Sequence, residues 1–311
     1  MVKIKLRRNK KVGNSNEKVF NIYKKKYVIV AIFFFILSFS GILAKHYGFN
    51  KGIDFAGGVV VEATCDKCNI SKISKEVEKK LGSSIQTQTT SNCFLLKTTL
   101  TNNYEKTISS FKEVLKNNNA KIVSNDYTSP QMTKTFIDDS IFACIFAFAC
   151  IGLYVIIRFN FKFAISAIIA LVYDVLMVVC FISFTHIEVC LITLTAILTI
   201  IGYCINDKIV VFDRIKSNLD EKSKDVVDIV NDSVKVVLTR SVLTSITTII
   251  VSCSLFFFGD RFIYDLGLII IFGIIVGTIT SLLLATSLLL VFNIKHIERK
   301  QLTRDPMRYT S

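Results

Sequence analysis

Asp174, Asp207 and Arg240 stand within or at the ends of long uncharged stretches of the chain. A charged side chain in a hydrocarbon span costs at least ~2.5 kcal/mol even on a lenient insertion scale, so each is a candidate functional group. The chemistry such a set can perform is reversible proton binding. A carboxylate that takes up and releases protons needs a nearby cation, which favours its charged form, and a partly desolvated setting, which disfavours it. Asp207 with Arg240 supplies both if the spans that carry them are neighbours. Asp174, 11 residues past Phe163, is the lesser candidate for proton coupling, with a structural hydrogen bond to an adjacent helix as its alternative role.

Arg240 is followed by Ser241, Ser245, Thr248 and Ser252, whose offsets of 0, 4, 7 and 11 place them on one helical face, with Thr244 and Thr247 adjoining. Such a stripe suits either close packing of transmembrane helices or a polar seam facing Asp207 along which a proton travels. Lys208 directly follows Asp207. Adjacent side chains on a helix diverge by about 100°, so Lys208 is expected to snorkel to the cytoplasmic surface.

Other chemistry finds little support. Cys65 and Cys68 form a C-x-x-C with Cys93 further on, but no histidine lies between Cys65 and Pro130, and three cysteines fall short of four zinc ligands. They are either a local disulfide in an oxidising compartment or free structural thiols, and neither is assigned to catalysis. The other six cysteines lie in or beside spans, where a thiol packs as a small apolar group. There is no phosphate loop and no nucleophile elbow. No metal, no cofactor and no covalent catalysis are expected.

The elements that must position these groups are membrane helices. The chain of 311 residues is 51% apolar with a mean hydropathy of +0.51, which excludes intrinsic disorder and a disulfide-dense miniprotein. Six apolar runs are each long enough to span, at about 20 residues per ~30 Å of hydrocarbon. The expected spans are 27–47, 136–157, 163–185, 189–212, 241–259 and 266–294. The first has an uncharged core of 18 residues, Tyr27 to Ala44, too long for a signal-peptide core, and reads as an anchor. Of the 38 basic residues, 24 fall in four segments: before Tyr27, between the second and third spans, from Lys208 to Arg240, and after Ile294. The positive-inside rule then puts both termini, 1–26 and 295–311, in the cytoplasm. The net charge of +14 thus specifies orientation and calls for no nucleic-acid partner.

Residues 48–134, outside the membrane on this topology, alternate as strand (Val59 to Thr64), helix (Ile70 to Leu81), strand pair (Ile85 to Thr90, Cys93 to Thr99), helix (Tyr104 to Lys116) and strand (Ala120 to Thr128). That order is the ferredoxin-like α+β pattern, and Ser129-Pro130 ends it. Between the fourth and fifth spans, the cytoplasmic segment 213–240 opens with Asp213 and Arg214 and reads as an amphipathic helix lying along the membrane. Gly273, Gly277 and Ser281 make a small-residue ridge in the sixth span, a contact face for a helix of this chain or another.

Three runs together resemble one family. Gly52-Ile53-Asp54-Phe55-Ala56-Gly57-Gly58 follows the first span; Leu198 to Asp207, followed by Val210 to Ile215, occupies the fourth; Leu238 to Ser245 opens the fifth. They are similar to the signatures of SecF, the membrane subunit family that assists the bacterial Sec protein-export channel and belongs to the resistance-nodulation-division superfamily. The resemblance implies a multi-pass protein of the inner membrane that pairs with SecD, works beside the SecYEG channel on unfolded preproteins and uses the proton-motive force. It implies proton coupling at Asp207 and Arg240, with Gly52, Asp54, Gly57, Gly58, Gly202, Asn206, Asp213 and Arg214 as motif residues. The chain departs from the family in Lys208, where Ser or Thr is common, in Tyr173, which replaces a His before Asp174, and in Ala56, which replaces a Thr. Superfamily transporters are built from two pseudo-symmetric halves, and one set of spans without an internal repeat looks like half a machine. Two other readings compete: a self-contained small-molecule exporter that forms a homo-oligomer, and a structural subunit whose charged spans organise helix contacts.

Overall fold

The computed structural model describes residues 25–65, 70–81, 85–89, 94–98, 104–118, 120–219, 225–259, 261–292 and 294. The two chain ends, Cys68 and Cys93 lie outside the described residues. Among the described residues, six helical stretches are long and apolar enough to cross a membrane. They are α1 (Lys26–Tyr47), α5 (Pro130–Arg158), α6 (Phe161–Thr185), α7 (Leu191–Asn218), α8 (Val226–Phe258), and α9 (Arg261–Leu282) continued by α10 (Leu284–Val291). α6, α7 and the α9–α10 pair form the buried middle of the bundle, while α1, α5 and α8 expose much of their apolar surface. That distribution suits a solvent of lipid tails, in which an outward Phe or Ile needs no protein cover.

Between α1 and α5 sit a single helical turn, α2 (Ile53–Ala56), and the α+β unit: β1 (Gly58–Thr64), α3 (Ile70–Leu81), β2 (Ile85–Thr89), β3 (Phe94–Thr98), α4 (Tyr104–Asn117) and β4 (Lys121–Thr128). The strands order as β2-β3-β1-β4, every neighbouring pair antiparallel. This is the ferredoxin-like arrangement expected from the order of elements. Val59, Val61 and Ala63 point to one side of β1 by strand alternation, where they join Ile73, Val77, Phe111 and Leu115 of the two helices in one core. Cys65, just after β1, is disulfide-bonded, so the free-thiol reading does not hold for it.

Several boundaries depart from the sequence reading. α5 begins at Pro130, capped by Ser129, whose Oγ accepts the Met132 N–H at 3.2 Å; the proline that ends the α+β unit also starts the second span, as proline at the first helical position does. The expected surface helix before the fifth span is absent as a separate element. Val226 to Phe258 is one helix of 33 residues, whose apolar face of Ile229, Val230, Val234 and Val237 is buried. α7 likewise extends to Asn218, which donates to the Ser233 Oγ at 2.8 Å. The amphipathic pattern is real, but protein covers its apolar face. The sixth span is broken at Leu283 into α9 and α10. Lys26, at the start of α1, donates from Nζ to the Leu290 carbonyl at 2.8 Å, a cation on the carbonyl end of α10.

Candidate functional site

α7 carries the site. Its first turn leaves four N–H groups without helical partners, and the side chain of the N-cap residue Cys190 caps none of them. The acceptor comes from the glycine-rich motif: Asp54 Oδ2, on α2, accepts the Leu191 N–H at 3.0 Å. The same segment runs beside the α6–α7 loop, with Gly52 N donating to Val189 O at 2.9 Å and Val189 N to Asn50 O at 2.8 Å. Gly57 closes α2 at φ 71, a left-handed conformation that favours glycine. A Cβ on Gly58 would run into the Thr98 carbonyl of β3. The motif is thus a clip that turns the chain from α1 into β1 while fastening both to the head of α7.

A second fastening lies beside it. Lys97 of β3 and Glu188 of the α6–α7 loop form an ion pair, both side chains buried. They line a cleft of about 200 Å³ between the helix-free face of the sheet and the loop, together with Asp54, Glu62 and Asp126.

Sixteen residues along α7 from Leu191, about 24 Å at 1.5 Å per residue, stand Asp207 and Lys208, 3% and 0% exposed. The expected snorkelling of Lys208 does not occur. Its Nζ meets Asp174 Oδ2 of α6 at 2.6 Å, and Thr280 of α9 donates to Asp174 Oδ1. Asp174, Lys208 and Thr280 therefore tie three helices together. Close approach is made by the small-residue ridge, whose partner is in this chain: a Cβ on Gly273 would overlap Ile200, and one on Gly277 would overlap the Cys204 sulfur and reach Asp174.

Asp207 is left differently. Its Oδ2 is buried and has no hydrogen-bond partner among the described residues, and neither has the Ser241 Oγ of α8. α7 and α8 run antiparallel, and one turn away Tyr203 donates to the Ser245 Oγ at 3.4 Å. Moving four residues along each helix brings Asp207 level with Ser241. Arg240 is exposed and makes no ion pair among the described residues, though its charge lies near enough to act on Asp207 across the α7–α8 contact. The hydroxyl stripe also divides. Ser241, Ser245 and Ser252 are buried, Ser245 lying 2.6 Å from the Thr278 Oγ1 of α9, whereas Thr244 and Thr247 face outward. Asn206 is exposed as well, and Gly202 has open space where a Cβ would be. At the far end of α7, Asp213 pairs with Arg158 of α5 at 2.9 Å with both side chains half exposed, and Arg214 is exposed. The sequence reading missed Thr280 and Lys97, whose partners lie on other elements.

The family model for the C-terminal region of the protein export membrane proteins SecD/SecF matches residues 106–295, and that of the SecD/SecF GG motif matches 46–67. A protein translocase subunit SecF of Rickettsia bellii is 32% identical over 298 residues, covering 89% of this chain and 94% of its own. The chain belongs to the SecF family. A second SecF, from Rickettsia prowazekii, is 31% identical over 279 residues, covering 83% of this chain and 86% of its own. Among solved structures, SecDF of Thermus thermophilus, a translocon-associated membrane protein, is 27% identical with a TM-score of 0.78 over 88% of this chain. SecDF in a super-membrane-facing form is 25% identical with a TM-score of 0.65 over 92%. This SecF-family chain spans only 38% and 40% of those two SecDF chains. With six helices of spanning length and composition, it is a multi-pass membrane protein.

Proposed function

We propose that this protein is an accessory subunit of the Sec preprotein translocase that works with a SecD partner in the bacterial inner membrane, and that it couples the proton-motive force to export through Asp207 and Arg240. The observation that carries the reading is the Asp207 carboxylate, buried in a span with one oxygen unpartnered among the described residues and level with an equally unpartnered Ser241 hydroxyl. A buried ionised carboxylate without full hydrogen bonding is costly, and protonation or a mobile cation relieves that cost. Arg240, one residue before Ser241, is the nearby cation not already paired in an ion pair among the described residues, Lys208 being held by Asp174.

A partner is supported by the polar face that this chain leaves outward. Asn206 and Arg240, with Thr244 and Thr247, are exposed on two helices of spanning length, and polar groups in a span face a bundle interior or a water-filled cavity, not lipid. A second half-transporter would complete both the face and the site. In this reading both termini are cytoplasmic and the α+β unit lies outside, where it acts on unfolded preprotein emerging from the SecYEG channel. No covalent catalysis is assigned.

The test is Asp207→Asn and Arg240→Met in the protein reconstituted with its SecD partner and the channel, scoring completion of export with and without a proton gradient. Both variants are expected to keep gradient-independent export and to lose the gradient-dependent increment. Retention of that increment by both would leave the charged groups a purely structural role. Purification of the protein alone under mild detergent, with no six-span partner, would favour the homo-oligomeric exporter.

A further inference from the structure

Lys208 has no role in the family motif, and its burial calls for one. An ammonium is a strongly hydrated point charge, and one that is fully buried is tolerated only when paired. Two carboxylates are within its reach: Asp207, its chain neighbour, and Asp174 on α6. The structure pairs it with Asp174, at 2.6 Å, and the other oxygen of Asp174 accepts the Thr280 hydroxyl. Both oxygens of Asp174 are therefore satisfied, while the Oδ2 of Asp207 is not. The other titratable groups nearby are Cys204, on the Asp174 side of α7, and Tyr173, whose ring packs on Phe33 at 5.4 Å.

We infer that Lys208 is the resident counter-ion of Asp174: the two form an electrically neutral unit that withdraws Asp174 from the proton path, positions α6 and α9 against α7, and leaves Asp207 as the carboxylate open to exchange. This rests on the coupling reading of Asp207. Of the two roles open to Asp174 in the sequence, it assigns the structural one: a positioning residue. Asp174→Asn strands the Lys208 cation, whose nearest remaining carboxylate is Asp207; Lys208 then turns to Asp207 and blocks exchange there. Lys208→Met strands the Asp174 carboxylate beside Asp207. The double variant is neutral again and strands nothing.

The experiment is a double-mutant cycle on Asp174→Asn and Lys208→Met in the complex reconstituted with its SecD partner, read as the gradient-dependent increment in export. Each single variant is expected to lose about tenfold or more, in line with the cost of breaking a buried pair, and the double to recover to within about threefold of the unmodified protein. A double variant as inactive as Asp174→Asn would overturn the assignment, because it would make Asp174 a relay or the charged clamp indispensable. A second series reads thermal unfolding of the purified chain in detergent, independent of coupling. Both singles are expected to unfold at lower temperature and the double near the unmodified protein. If Asp207→Asn left coupling intact, the coupling reading would fall and the counter-ion assignment would be decided by this melting series: a double variant no more stable than the weaker single refutes it.

Discussion

Replacing Asp54 by alanine removes the acceptor that holds the Leu191 N–H at the head of α7, some 24 Å from the site at Asp207. The bond is a charge-assisted cap on a first-turn N–H, of a kind that contributes about 1–2 kcal/mol, and the carboxylate adds a favourable interaction with the positive end of the helix. For comparison, one proton crossing the membrane releases about 2.3 kcal/mol per 100 mV. If movement of α7 transmits that energy to the α+β unit, weakening the clip by 1–2 kcal/mol shifts the attached population by about 5–30-fold. Asp54→Ala should therefore lose most of the gradient-dependent increment in export while keeping gradient-independent export and membrane insertion. Asp54→Asn keeps an oxygen acceptor and loses only the charge, so it should fall between, by about 0.3–1 kcal/mol. The assay is export completion by the reconstituted complex with and without a proton gradient. An Asp54→Ala protein that inserts normally and responds fully to the gradient would refute transmission through the head of α7.

Packing at the helix ridge gives a second expectation. Gly277→Ala should cost about 1–3 kcal/mol by overpacking, and adding Cys204→Ala should recover at least about 1 kcal/mol of it, since the sulfur is what the new methyl would overlap; thermal unfolding in detergent of the two singles and the double checks this, and strict additivity would contradict it. At the Lys97–Glu188 pair, buried on both sides, Lys97→Met alone should destabilise by about 3–5 kcal/mol, whereas Lys97→Met with Glu188→Met should be close to neutral. Protease susceptibility of the α+β unit reports that difference, and equal susceptibility of the single and double variants would count against it.

Much of the α+β unit was legible because its elements are short and differ in period: Ile73, Val77 and Leu81 repeat at helical spacing, while β1 reads as three β-branched residues, Val59 to Val61, after two glycines. The helical spans were legible from hydropathy alone. What the sequence could not reveal depended on contacts distant in the chain. The stretch before the fifth span shows an amphipathic pattern whether its apolar face meets lipid or protein, and only the extended end of α7 decides for protein. The 100° rule separates Lys208 from Asp207 but does not say that Asp174, 34 residues back on another helix, waits on that side. The ridge of Gly273, Gly277 and Ser281 announces a close contact without naming Ile200 and Cys204 as its occupants. In the same way, the motifs offered Arg240 as the cation near Asp207 without saying that the helical register brings Ser241 to the level of Asp207 while Arg240 itself is exposed.

The most direct measurement is proton flux into proteoliposomes that hold the complex of this protein with its SecD partner, followed with an internal pH-sensitive dye under an imposed gradient. Asp207→Asn should reduce flux to that of protein-free vesicles, while Asp174→Asn with Lys208→Met should conduct within about threefold of the unmodified complex. Undiminished flux through Asp207→Asn would contradict the account at its centre.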